Sequence, residues 1–421
     1  MVAHKLLKMA SPLVVTATVI SGASLAVAET PPFQQLPLQL VAADVLPKTV
    51  VSGVGYTIEE HVSNDGVQNS YIINSPYGEL SVTGTEELLA RVQEVKATMA
   101  LAKLEESEEF KDAAKGAVTG MVEGGKALWN EPVDTAKDAA RGVGRWLGNV
   151  GGAITSDDPH QDNVLKTAVG YDAAKRGYAV AMGVDPYTDF EPFQQQLSEV
   201  ARAATAGNMV TSVAIKVGTE GTLAGTVTTV TSLAAMKNIL KDNPPATLAK
   251  INREKLLQAG IMGYQADALL KNYNYTPAEM TVICEALLRM GDIEGREIFV
   301  TYATSAPDQQ VAHFMAYYAE ILTDYVTTVE VADIVSVAGR AWLVSRSGSL
   351  VGAFPIDYLA WTEGAANSTA AATRKMQELG LKRKKLLLSG QFSPQARAAL
   401  KSRDWELTEN FRQSAVVTAG S

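Results

Sequence analysis

One cysteine, Cys284, is all that the 421 residues carry. No internal disulfide can form, so the chain depends on its apolar core and not on covalent staples. In the run Val282-Ile283-Cys284-Glu285-Ala286-Leu287 that cysteine reads as a small buried hydrophobe. Histidine is nearly as scarce. Of four, His61, His160 and His313 lie beyond the first 28 residues, and none has a second His or Cys at zinc-ligand spacing. Positive charge is short as well: 37 Lys and Arg stand against 46 Asp and Glu, a net charge of −9, which disfavours nucleic acid as a partner. Beyond residue 28 no apolar stretch reaches the roughly 18 residues that a spanning helix needs. Phosphate-cradling and nucleophile-elbow motifs are missing too, so no catalytic residue, cofactor or metal site is predicted.

What is present begins with a leader. Lys5 and Lys8 form a positive region, Pro12 to Ile20 is apolar, and Ala26-Val27-Ala28 precedes Glu29 as a small-residue cleavage pattern. The pattern predicts export to the periplasm or cell envelope with a mature chain starting near Glu29. An uncleaved anchor is the competing reading, because Ala10 to Ala28 carries no charge.

The remaining pattern predicts an α+β protein. Residues 29–50, rich in Pro and Gln, read as a linker, and 51–84 as a β-meander turning at Asn64-Asp65-Gly66 and Ser75-Pro76-Tyr77-Gly78. Residues 85–153 read as amphipathic helices and 154–330 as a helical domain with a possible hairpin at 210–230. Thr276-Pro277-Ala278-Glu279 is a capping box there. Residues 331–410 alternate hairpin, helix and strand as a small α/β module, and 411–421 read as a loose tail.

The richest stretch is 107–153. Around Phe110, the residues Ala113, Ala114, Ala117, Met121 and Leu128 share one helical face, which Val118 and Trp129 extend. Gly116, Gly120 and Gly124 recur along its edge. Three helical glycines cost about 0.5–1 kcal/mol each, so close packing is the expected compensation. In the following segment Leu147 shares the apolar face of Ala136, Ala140 and Val143, with Trp146 at its border. Lys137, Arg141 and Arg145 make a basic row beside it. Apolar face, basic rim and boundary tryptophans are the composition of an interfacial helix. Two helices packed glycine to glycine in a soluble core are the alternative.

Gly116-Ala-Val-Thr-Gly120, Gly124-Gly125-Lys126, Glu131-Pro132-Val133 and Arg141-Gly142-Val143-Gly144 resemble the lipid-binding helices near the C-terminus of chorein-type lipid-transfer proteins. The likeness spans about residues 112–151 and implies contact with a membrane surface. The expected function is therefore a non-enzymatic envelope protein touching a membrane surface or another envelope protein through 107–153. The alternative is a hydrolase or transferase using Asp357, Glu363 or His313.

Overall fold

The computed structural model describes residues 32–105, 159–206 and 236–412, leaving aside the side chains of 159–169 and of residues 204, 206 and 237. The leader, the whole of 107–153 with its candidate contacts, and the 210–230 hairpin lie outside those residues.

The fold is α+β. Its first unit is an antiparallel sheet of β1 (Leu38–Val41), β2 (Ser52–Gly53), β3 (Tyr56–Ile58), β4 (His61–Asn64), β5 (Asn69–Ser75) and β6 (Gly78–Thr83). β5 is central, with β6 on one side and β3 and β4 on the other. Tyr71 and Ile73 alternate inward along it, as period-2 patterning requires. Residues 38–51 are where the linker reading and the structure differ. Leu38 and Leu40 pair with Asn64 and Val62, and the short helices α1 (Ala42–Val45) and α2 (Lys48–Val51) bury Ala42 and Val50. The Pro and Gln content concealed a four-residue strand with alternating leucines.

Helix α3 (Thr85–Glu105) lies on this sheet, and α5 (Glu191–Ala206) packs on α3 and on α4 (Pro159–Ala181). Leu88, Val92, Val95 and Leu101 of α3 share one core with Phe193, Leu197 and Val200 of α5. Each such side chain contributes about 1.5–3 kcal/mol when fully buried.

A second core runs from Leu256 to Trp405. It takes in α7 (Pro245–Gln258), α8 (Gly263–Leu270), α9 (Pro277–Arg289), α10 (Arg296–Thr304) and α11 (Gln309–Thr328), entered through the short α6 (Lys237–Asp242). It continues into a five-stranded sheet ordered β13-β11-β9-β8-β7. β7 (Val331–Val337), β8 (Arg340–Ser345) and β9 (Ser349–Phe354) are antiparallel; β11 (Arg383–Leu388) and β13 (Glu406–Thr408) run parallel to β9. Helices α12 (Glu363–Glu378) and α13 (Pro394–Lys401) make the two crossovers, and the short β10 (Tyr358–Leu359) and β12 (Gln391–Phe392) pair beside them. All six residues of β9 are buried, as befits the middle strand of a covered sheet. The tail reading stops short of the structure, since Phe411 packs on this core and Arg412 is ion-paired.

Among the described residues the two cores are separate clusters, and a third, small one of Val180, Met236, Leu240, Leu248 and Ala278 joins α4, α6, α7 and α9. Polar side chains bridge the units as well.

Candidate functional site

The polar junction is built by two helices that each carry a charged stripe opposite an apolar one. On α3, Glu87, Arg91 and Glu94 recur at i, i+4 and i+7, away from Leu88, Val92 and Val95. On α11, His313, Tyr317, Glu320 and Asp324 recur at i, i+4, i+7 and i+11, beside the buried Ala312, Met315, Ala319 and Leu322. The stripes face one another, and side chains span the gap.

His313 is the most connected member. Its Nε2 meets Glu87 on α3 and its Nδ1 meets Glu279 on α9. With a carboxylate at each ring nitrogen the ring is an imidazolium donating both ways. Burial works against that charge, but the bond to Glu87 and the fields of Glu87, Asp185 and Glu94 outweigh it and hold His313 above the usual histidine value. About 42% of its side chain remains exposed, so it forms the wet rim of the junction. Glu279 serves twice: its other oxygen accepts from Thr276 N at 2.8 Å, while Thr276 Oγ1 accepts from Glu279 N at 3.1 Å in the expected capping box.

Next to this pair, the turn at Gly183–Phe190 brings in Asp185, Thr188 and Asp189. Asp185 accepts from Tyr187 N at 2.8 Å and from Thr276 Oγ1 at 2.6 Å. Burial lifts its carboxyl above the ordinary value, and those two bonds oppose the lift. Arg91 binds Glu87 at 3.2 Å, Glu94 at 3.2 Å and Asp189 at 2.8 Å. Glu94 also accepts from Thr188 Oγ1. Burial dominates for Glu94 and pushes it up to about 8, against the pull of Arg91. Further along, the Tyr317 hydroxyl bonds Glu86, and Arg412 holds Glu320 at 2.7 Å and Asp324 at 2.8 Å. Burial raises both Glu86 and Glu320, with Arg412 opposing it in each case.

Asp357, in the loop after β9, completes the junction. Its carboxylate accepts from Asn69 N at 3.0 Å and from Thr85 N at 3.1 Å, so it caps the start of α3 from the other unit. Burial lifts it to about 6 despite those bonds. Gly66 O accepts from Ala360 N, and Val67 O accepts from Asp357 N and Tyr358 N, a short backbone ladder between the units. Gln34 adds a strap. Its N donates to Trp361 O at 2.8 Å, and its Oε1 accepts from Trp361 N at 2.8 Å and from Ser393 Oγ at 2.6 Å.

The structure thus brings His313 and Asp357 to one junction but leaves Glu363 exposed in the first turn of α12. Cys284 is fully buried in α9, which pushes its thiol up, and His313 pairs with glutamates instead of with it. Three side chains of the basic run 382–385 are engaged locally: Arg383 donates to Ser347 O, Lys384 lies 5.6 Å over the Trp405 ring, and Lys385 pairs with Glu406 at 2.9 Å. Among the described residues no group of three or more His, Cys, Asp or Glu has the arrangement of a metal site, and no helix is long and apolar enough to cross a membrane. Glu87, Arg91, Glu94, Tyr317 and Glu320 are the members that sequence reasoning missed. Their signal was the i, i+4, i+7 spacing on the polar side of each helix.

The chain matches no protein-family model, no curated protein and no solved structure. What the arrangement can do chemically follows from its geometry alone. It cross-links two units, with the His313 imidazole engaged at both nitrogens.

Proposed function

We propose that the protein is an exported, non-enzymatic component of the cell envelope that touches an anionic membrane surface through residues 107–153. The reading rests on the apolar arc of Val118, Met121 and Leu128, the basic row Lys137, Arg141 and Arg145, and the boundary residues Trp129 and Trp146. One observation in the described body supports it. Two of the three groups that the enzymatic alternative would draw on are engaged in joining the two units: Asp357 with Asn69 and Thr85, His313 with Glu87 and Glu279. The helices described on either side of residues 106–158, α3 and α4, both pack on α5.

Each basic residue near an anionic surface contributes about 1 kcal/mol. Removing three therefore weakens binding by about a hundredfold, at about 1.4 kcal/mol per decade. Flotation of the mature protein with phosphatidylserine-containing vesicles is expected to succeed at low salt and fade at high salt. The Lys137→Gln/Arg141→Gln/Arg145→Gln variant is expected to stay at the bottom of the gradient. Wild type that fails to float, or floats equally on neutral vesicles, overturns the reading; capture by another envelope protein without lipid would do so in favour of a protein partner.

A further inference from the structure

Nine carboxylates among the described residues line the junction between the two cores. Glu86, Glu87 and Glu94 come from α3, and Asp185 and Asp189 from the turn before α5. Glu279 comes from α9, Glu320 and Asp324 from α11, and Asp357 from the loop after β9. Against them stand His313, Arg91 and Arg412, with Arg289 at the end of α9 acting on Glu320 from further off. Tyr71, Tyr187 and Tyr317 also face these carboxylates, while Asp65 acts on Asp357, and Arg176 and Asp172 act on Tyr187. Ionising every acid would leave several uncompensated negative charges packed between two apolar cores. Like charges at such spacing do not all ionise; some keep their protons.

We infer that the junction is a proton-operated clasp: protonated carboxyls and the His313 imidazolium hold the α3 unit against the α9–α11 unit, and loss of those protons loosens the contact. Three features of the geometry carry this. His313, Glu86 and Asp357 bridge the two units directly, and Glu94 acts on His313 from within the α3 unit, so repulsion among these groups bears on the contact. Among the described residues the two large apolar cores are separate clusters, so no continuous core opposes that repulsion. His313 sits at the exposed rim, which gives water access to the chain of groups behind it.

The direction follows from the shifts. Glu94, Glu86, Asp185, Glu320 and Asp357 all bind their protons more tightly in the folded chain than alone, and so does His313. Stabilisation from each is complete below its ordinary value and is lost as pH rises through its folded one. For Glu94 that window runs from 4.5 to about 8. Acid therefore closes the clasp and alkali opens it.

Hydrogen exchange on the mature full-length protein tests this, with rates corrected for intrinsic pH dependence. Between pH 6 and pH 9 the amides of Thr85–Lys96 and of His313–Asp324 are expected to lose protection about tenfold or more, while those of β9 and β11 hold theirs. In the Glu86→Gln/Glu94→Gln variant, which mimics two of the protonated acids, the loss is expected to shrink by about half, because His313, Asp185, Glu320 and Asp357 still titrate. His313→Gln, which cannot carry the charge, is expected to show open-state exchange at pH 6 with unchanged circular dichroism. Uniform loss of protection across both units overturns the clasp in favour of global unfolding. So does an unaltered pH response in the double glutamine variant, a flat wild-type profile, or protection set by added calcium or magnesium instead of pH.

Discussion

Asp357 is the residue whose environment says most about its role. A carboxylate that accepts backbone N–H groups of both Asn69 and Thr85 is a cap, and removing it strands two donors at a junction with little water. Asp357→Ala is therefore expected to cost about 2–4 kcal/mol in a urea-unfolding measurement, whereas Asp357→Asn retains an acceptor and is expected to cost about half as much. Because the Asp357 carboxyl sits at about 6 against an ordinary 3.8, the Asn variant also loses the part of the pH dependence that falls in that window. Equal costs for the two substitutions would mean that packing, not hydrogen bonding, is what Asp357 supplies. Cys284 shows the reverse case: it lies in the apolar core, and the reading of a lone cysteine in an apolar run holds for a residue with no exposed surface.

At the scale of elements, what was legible in the sequence was whatever is decided locally. The capping box at Thr276 and the turns at Asn64-Asp65-Gly66 and Ser75-Pro76-Tyr77-Gly78 are each written within four residues, and each stands where the spacing puts it. β7 was not legible, because Val331–Val337 follows α11 after a break of two residues and continues its apolar composition. The junction was half legible. Each stripe is visible on its own helix, but nothing local says that the polar edge of α3 faces that of α11 and not water. Close approaches between elements are another long-range fact. A Cβ added at Gly390 would lie 1.9 Å from Asp357 O, whereas one at Gly348 would meet nothing within 4 Å, although its φ is +81°. Gly390→Ala is expected to cost about 3 kcal/mol or more by displacing the loop that carries Asp357, and Gly348→Ala only about 1–2 kcal/mol of backbone strain. Thermal midpoints of the two variants check this; a larger loss at Gly348 would contradict the close approach.

For the whole molecule, the shifted carboxyls of the described residues are nearly all raised; Asp267, lowered by its bond to Arg253, is the exception and lies at the surface. Folded chains with raised carboxyls hold protons that unfolded chains have released, so stability declines as pH climbs from about 4.5 to about 8. The thermal midpoint is expected to be several degrees higher at pH 5 than at pH 8, and a midpoint rising over that interval would reverse the sign assigned here. The Gln34 strap has a different consequence, one of timing. Its partners Trp361 and Ser393 lie more than three hundred positions downstream, among the longest sequence separations that the fold closes. Contacts of that span form late, because the intervening chain must already be arranged. A chain emerging from a ribosome therefore carries Phe33 and Gln34 without these partners until residues 361 and 393 have followed, so the seal at Trp361 is among the last contacts open to it.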